Sequence, residues 1–339
     1  MSINNEDSLF SNKLCIVAPG GTSVIGNIAK IYGNILEEHE FECIYIDSKP
    51  YYKMKMLIDL IKNEKKYTCI HVHSSGYLGD IPLIWTYIIS KMYHKKVIIT
   101  WHCGSPYNIL EKTHNILNIL FKAANLVTVP SNYSKKSILD FNINIGDKLV
   151  VFPNLINHSK YSCNNLEKNN KKVVTISSIN KWYIYRKGLV EFVQSACYLP
   201  DFDFYLIGKY DDSINDLKKI APNNVHFTGF LPDEELIKHL CTSSVYCQLS
   251  IFESFGYALA EAMLCGCVPV VTQNASLPEV VGDAGYYVNS MDPSEIANKI
   301  KDASISGKFR KSRSQIVNNF AVKTKKIDFV ELVSSITQE

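Results

Sequence analysis

Short apolar runs rich in β-branched residues alternate with longer amphipathic stretches along the whole chain. In the first half the runs fall at Lys13–Ala18, Glu42–Asp47, Cys69–His73, Val97–Trp101, Leu126–Val129 and Leu149–Phe152. Helical spacing of apolar positions fills the gaps, near Val24–Glu38, Met54–Glu64, Ile81–Tyr93, Ile109–Ala123 and Tyr133–Phe141. The second half repeats the scheme. Its strands are expected at Lys172–Ser177, Asp203–Ile207, Val225–Phe227, Val245–Cys247, Val268–Val271 and Gly285–Val288. Helices near Gly188–Tyr198, Ile214–Ile220, Asp233–Leu240, Phe255–Leu264 and Pro293–Lys301 separate them. Strand–helix alternation predicts parallel sheets covered by helices on both faces. Asn157–Asn170 is polar, rich in Asn and Lys, and reads as a connector between two α/β halves.

Composition agrees with two globular cores. A chain of 339 residues has the length of about two domains. With 46% hydrophobic and 20% charged residues it is neither disordered nor fibrous. The net charge of +3 implies no field for a polyanion, so nucleic acid is not an expected partner. The polar, acidic start MSINNEDSLFSNK lacks the pattern of a secretory signal. The apolar run Ile81–Met92 is too short to span a bilayer and contains Pro82. Ten cysteines follow no zinc-finger spacing. They read as small apolar fillers in a reducing cytoplasm, and this includes Cys265 and Cys267, which bracket Gly266.

The richest stretch is Ser250–Gly282, SIFESFGYALAEAMLCGCVPVVTQNASLPEVVG. Ser254 is placed as the N-cap of a helix over Phe255–Leu264. The first amides of a helix lack internal partners and sit at the positive end of its dipole, so they attract phosphate. Gly256 leaves room for close approach. Glu261 falls on the second turn, roughly 9 Å along the axis, where its carboxylate can accept hydrogen bonds from two ribose hydroxyls. Glu253 precedes the helix, on the side where a sugar on the distal phosphate would lie. An acid amid the apolar run of Ala258, Leu259, Ala262 and Met263 calls for a partner or a ligand.

The run E-S-F-G-x4-E-A-M-x2-G-x2-P-V-V, followed by Leu277-Pro278-Glu279-Val280-Val281, resembles the donor-site signature of the retaining glycosyltransferase family 4. The resemblance implies a GT-B fold, two Rossmann-like domains with parallel sheets facing across a cleft. It divides the chain into an acceptor-side domain at residues 1–160, a linker at 161–170 and a donor-nucleotide domain at 171–320. A C-terminal helix at 321–339 is expected to pack back toward the first domain.

Further segments extend the resemblance. The first strand ends in Pro19-Gly20-Gly21-Thr22. As a dinucleotide fingerprint this fails, because Ser23 stands where the second Gly belongs. The resemblance gives Gly20 and Gly21 to close backbone approach on the donor diphosphate; a tight strand–helix turn explains Gly20 equally. His102, at the end of Thr100-Trp101-His102-Cys103-Gly104, is implied to contact the donor sugar through a hydrogen bond. His71 and His73 end another strand, with no third ligand at metal spacing.

Arg186-Lys187-Gly188 is expected to open the first helix of the second domain. Two cations there oppose the helix dipole unless an anion lies between them. The resemblance pairs Lys187 with the diphosphate. The family's partner arginine, in a G-R dipeptide, is missing: Ser177-Ser178-Ile179-Asn180-Lys181 stands in its place. Arg186 or Lys181 is left to supply the second charge, Arg186 by adjacency. Gly229 and Phe230, in Val225–Pro232, are implied to border the nucleobase.

These residues together imply transfer of a sugar, with retention, from a nucleotide-diphosphate sugar to a saccharide or lipid-linked acceptor. Lys187, Arg186, Glu253 and His102 would act at the reacting end. Gly20, Gly21, Gly229, Phe230, Ser254, Phe255, Gly256 and Glu261 would bind the donor. No cofactor and no metal are expected, since no D-x-D motif holds one. Ile81–Lys96 carries aromatic, apolar and basic residues of the kind that rest on the inner face of a membrane, and a buried amphipathic helix explains the same residues. Two other classes fit part of the pattern: a GT-B sugar-nucleotide epimerase, and a nucleotide-sugar-binding protein without turnover.

Overall fold

The computed structural model describes residues 12–20, 23–49, 53–76, 81–163 and 167–338. The chain divides into two compact units, residues 1–155 with 325–339, and residues 156–324.

In the first unit the strands are β1 (Lys13–Ala18), β2 (Glu42–Asp47), β3 (Cys69–Ser74), β4 (Lys96–Trp101), β5 (Leu126–Val129) and β6 (Leu149–Val151). All pair in parallel, in the order β2-β1-β3-β4-β5-β6. The helices are α1 (Val24–Glu37), α2 (Lys53–Lys62), α3 (Ile81–Tyr93), α4 (Pro106–Ala123) and α5 (Asn132–Asp140). Cys15, Val17, Ile70, Val72, Val97, Ile99 and Val127 point to one face and join Met56, Leu60, Leu83, Ile89, Leu117 and Phe121 of α2–α4 in one core. Burial on both faces explains why these strands read as nearly continuous apolar runs. α3 buries Pro82, Leu83, Thr86 and Ile89, which accounts for its apolar sequence without a membrane.

The second unit holds β7 (Asn169–Ile176), β8 (Asp203–Ile207), β9 (Val225–Gly229), β10 (Ser243–Gln248), β11 (Val268–Thr272) and β12 (Tyr286–Val288). Its parallel order is β9-β8-β7-β10-β11-β12. The helices are α6 (Lys181–Arg186), α7 (Leu189–Ser195), α8 (Ile214–Ile220), α9 (Asp233–Thr242), α10 (Tyr257–Leu264), α11 (Leu277–Val281), α12 (Pro293–Ile305) and α13 (Phe309–Phe320), and α14 (Val322–Thr337) completes the chain. Alternate strand positions feed two cores. Val174, Tyr246 and Val271 meet α9, α10, α11 and α13, whereas Val173, Val245 and Val270 meet α7, α8 and α12. In each sheet the strand order reverses at one point, between β1 and β3 and between β7 and β10. Ligands of open α/β sheets bind beyond the carboxyl ends of the strands at such a point.

Several expectations need correction. The helix after Glu253 starts at Tyr257, not Phe255: Gly256, in the left-handed region at φ 90°, is its N-cap, so Ser254 does not cap it. Arg186 and Lys187 do not open a helix. Arg186 ends the short α6, Lys187 is its C-cap, and Gly188 at φ 60° turns the chain into α7. A Cβ at Gly188 would lie 2.7 Å from Leu249 and Met291, so the turn requires glycine. α6, α11 and α13 have no counterpart in the expected elements. Within the 161–170 stretch, Tyr161 is buried in the second core and β7 begins at Asn169. The cysteines are not all unpaired. Cys163 and Cys241, 78 residues apart, form a disulfide with Cα atoms 5.3 Å apart. Such a contact is made by the fold alone, so sequence spacing carries no sign of it.

Candidate active site

Beyond the carboxyl end of β10, Gln248 and Ser250 lead to Glu253, whose side chain is only 9% exposed. Four groups converge on its carboxylate. Arg186 Nη2 donates to Oε2 at 3.1 Å, Lys187 Nζ bonds Oε1, Ser250 Oγ donates at 3.1 Å and Gln248 Nε2 at 3.3 Å. Burial pushes the Glu253 carboxyl up, but the charges of Lys187 and Arg186, with hydrogen bonds from Lys187 and Ser250, more than reverse it. Glu253 is therefore held ionised, below the usual carboxylate range. The anion demanded by the two adjacent cations is supplied from within the chain. At the C-terminal end of α6 both cations suit the helix dipole, which removes the conflict expected of a helix start.

Immediately after Glu253 the backbone enters α10. The first bond of that helix runs from Ala260 N to Gly256 O at 3.1 Å. The amides of Tyr257, Ala258 and Leu259 thus have no carbonyl of their own helix to bond. They lie at the positive dipole end, close in sequence to a site with two cations and one anion. Ser276 Oγ donates to Glu253 O at 3.0 Å and fixes the turn. Phe255 is 1% exposed and packs edge-on against Phe320, 5.2 Å between centroids, so its side chain anchors the loop and faces no ligand.

Glu261 sits on the second turn of α10, half-buried, and Tyr161 Oη donates to its Oε1. Burial raises the Glu261 carboxyl above its ordinary value, and the Tyr161 hydrogen bond opposes the rise. The acid in the apolar run therefore has a protein partner, one that sequence reasoning missed because Tyr161 lay in a segment taken for linker. The disulfide lies next to it: Cys163 is two residues past Tyr161, and the Cys265 sulfur, one turn beyond Glu261, lies within 4.8 Å of both bonded sulfurs.

At the end of β9, Gly229 adopts φ 75° and Phe230 is 63% exposed, with Lys209 Nζ 5.0 Å above its ring. Lys181 opens α6, and the ion pairs of the Glu253 carboxylate are made by Arg186 and Lys187 at the other end of that helix.

In the first unit the carboxyl ends of β1, β3 and β4 carry the expected residues. Gly20 N donates to Asp47 Oδ1 at 2.8 Å, which commits that amide to the end of β2. Burial raises the Asp47 carboxyl, and the amides of Gly20 and Lys49 with the Lys49 charge lower it further than burial lifts it. Gly21 lies outside the described residues. His102 is buried, and its Nε2 lies 3.0 Å from His73 Nδ1, the rings stacked at 5.3 Å. The His71 ring lies tilted by 34° against His73, centroids 4.4 Å apart, and its Nε2 meets Thr100 Oγ1 at 2.7 Å. Burial lowers all three: His102 to about 4, with Asn154 opposing the shift, His71 to about 3, and His73 well below its ordinary value. A neutral His102 is a hydrogen-bonding group and is unsuited to carrying positive charge.

The family glycosyl transferases group 1 matches residues 162–320, and glycosyltransferase family 4 matches residues 34–160. The chain belongs to this family and is a glycosyltransferase of the GT-B fold. A 41.2 kDa protein in the cps region of Klebsiella pneumoniae is 28% identical over 349 residues, covering 88% of this chain and 96% of that one. The O-antigen chain mannosyltransferase B of Escherichia coli is 42% identical over 77 residues, 22% of this chain and 20% of the relative. Among solved structures, Anabaena Alr3699/HepE in complex with UDP and glucose superposes with a TM-score of 0.76 at 18% identity, over 95% of this chain and all of that one. No helix among the described residues is long and apolar enough to cross a membrane.

Proposed function

We propose that the chain transfers a hexosyl group, with retention and without a metal, from a nucleotide-diphosphate sugar to a hydroxyl of a saccharide or lipid-linked acceptor. The observation that carries this reading is the cation pair Arg186 and Lys187, held by Glu253 beside the open amides of α10. Breaking the bond between anomeric carbon and phosphate places negative charge on the leaving diphosphate. Lys187, Arg186 and the first amides of α10 stabilise that charge as it grows, each such preorganised donor being worth about 3 kcal/mol. With the charge met by protein groups, the reaction needs no divalent ion.

Glu261 accepts from the ribose hydroxyls, with Tyr161 orienting its carboxylate. Glu253 holds the two cations and presents its rim to the sugar hydroxyls. His102, neutral and steadied by His73, hydrogen-bonds the donor sugar. The acceptor hydroxyl attacks from the face the leaving group departs, and a phosphate oxygen takes its proton. The O-antigen relative, named a mannosyltransferase, supports a hexose donor. An open cavity of about 400 Å3 beside α1 in the first unit, lined among others by Gly20, Asp47, Lys30 and Tyr45, supports acceptor binding there.

The test is incubation with a panel of labelled nucleotide sugars and saccharide or lipid-linked acceptors, with and without EDTA. Transfer with an unchanged anomeric configuration in excess EDTA is expected. Epimerised nucleotide sugar, inverted product, binding without turnover, or activity abolished by EDTA and restored by a divalent ion would each overturn the corresponding part of the reading.

A further inference from the structure

The loop that replaces the family's G-R dipeptide does structural work the donor site does not account for. Ile179 N donates to Lys209 O at 2.8 Å and Asp211 N to Ile179 O at 3.1 Å, which stitches Ser177–Asn180 to the segment following β8. Ile179 is buried, so the join is anchored in the core. Asn180 caps α6, its Oδ1 accepting from Tyr183 N at 2.8 Å. This geometry lifts Trp182, on the first turn of α6, to the surface with 48% of its area exposed. Asn180, Lys181, Trp182, Asp211, Asp212 and Ser213 line an open depression of about 470 Å3, the volume range of small-molecule sites.

The chemistry of that lining is specific. An indole offers a broad apolar face, and exposing one costs hydrophobic free energy that a flat ligand recovers. Around it stand two carboxylates, the Lys181 ammonium, a carboxamide whose nitrogen is not used by the helix cap, and the Ser213 hydroxyl, which bonds Asp211. Carboxylates accept from hydroxyls, and two of them against one ammonium leave the rim with a net negative charge, which disfavours phosphate and other anions. A ring with one apolar face and a rim of hydroxyls, a neutral pyranose, satisfies both features. The position fits as well. Trp182 and Arg186 are four residues apart on α6, about 6 Å along the axis. Trp182 also meets Phe252, the neighbour of Glu253, at 6.1 Å between ring centroids.

We infer that the Trp182 depression binds a pyranose unit of the acceptor saccharide, giving the second unit its own contact with acceptor. The inference rests on the proposed transferase reading, and the following experiment separates the two. Of the three tryptophans, Trp101 is fully buried and Trp85 partly so, which leaves Trp182 to report on a surface ligand by fluorescence. The full chain is titrated with neutral gluco-, galacto- and manno-oligosaccharides, and separately with UDP and GDP. A saturable change in emission with at least one saccharide is expected, preserved in Trp85→Phe and lost in Trp182→Ala. Trp182→Ala should raise the acceptor KM by about tenfold, the scale of one aromatic contact, with nucleotide affinity by calorimetry unchanged. Trp182→Phe, which keeps an aromatic face, should restore most of the acceptor KM. No response to any saccharide, a response that survives Trp182→Ala, or one elicited by nucleotide alone would overturn the inference. Absence of any nucleotide-sugar binding or transfer in wild-type protein would instead defeat the transferase reading, whatever Trp182 does.

Discussion

The two units share a sheet of six parallel strands with one reversal of strand order, yet they bury polarity in opposite ways. The first packs three neutral histidines side by side at its strand ends. The second encloses an ionised carboxylate between a guanidinium and an ammonium. Neutral imidazoles survive burial because they give up the proton, which is what their depressed pKa values express. Glu253 survives burial charged because two cations and two neutral donors compensate it. The difference is one of means: the first unit buries uncharged hydrogen-bonding groups, and the second buries charge that it compensates internally.

The contrast is broken most directly at Glu253. Glu253→Ala leaves two largely buried cations without their anion and should cost about 3–5 kcal/mol of unfolding free energy in denaturant titration. Glu253→Gln should cost less, since one oxygen acceptor is retained, either for Arg186 or for the Lys187, Ser250 and Gln248 donors, and the cavity stays filled. If the alanine variant is as stable as wild type, the triad is not the internally compensated site described. Next in size is Lys187→Ala, expected to lower kcat by about 10²–10³ while donor Kd changes far less. Equal losses in both would place Lys187 in ground-state binding. Glu261→Ala should weaken nucleotide affinity by about 10–100-fold, the loss of hydrogen bonds to a charged acceptor. Unchanged affinity would remove the ribose assignment. Because the Glu261 carboxyl titrates above its ordinary value, wild-type nucleotide affinity should begin to fall at a higher pH than an exposed glutamate would allow.

Acid sharpens the same contrast. His71 and His102 have folded pKa values near 3 and 4, against about 6.5 in an unfolded chain. Between those limits the unfolded chain binds protons that the folded one does not, so stability falls as pH falls. The slope is at most about 1.4 kcal/mol per pH unit for each histidine. Glu253 has a lowered pKa, so its contribution is lost only below the ordinary glutamate range. Burial lowers His158 and His239 of the second unit as well, but neither lies on its sheet. Acidification from pH 6.5 to about 5 should therefore weaken protection of β3 and β4, beside the three buried histidines, before that of β10 and β11, as read by hydrogen exchange. Simultaneous loss of protection in both would contradict the assignment of neutral histidines.

Much of this was legible in the sequence. Every strand was found to within a few residues, because strands buried on both faces are runs such as Lys-Val-Ile-Ile-Thr-Trp that no amphipathic helix imitates. α6 was missed since it is six residues long with Trp and three Tyr or Ile neighbours and no helical period to detect. The two glutamates of the donor stretch were found by pattern. Their partners were not, because Glu253 bonds Arg186 and Lys187 from 66 or more residues away, and Glu261 bonds Tyr161 from 100. Local sequence announces that a charge needs a partner; only the folded chain decides whether that partner is a ligand or a neighbour. The disulfide belongs to the same class of long-range fact.

α14 has a consequence for how the molecule is made. Its later residues belong with the first unit, where the Phe329 ring packs tilted against Tyr32 and Phe152, centroids 4.3 and 5.4 Å apart, and Lys96 Nζ donates to Ile336 O at 2.9 Å. The first unit therefore cannot cover the apolar surface around Tyr32 and Phe152 until the segment carrying Phe329, which follows the whole of the second unit in the chain, has been synthesised. A nascent chain stalled short of Phe329 would leave that surface open to chaperones.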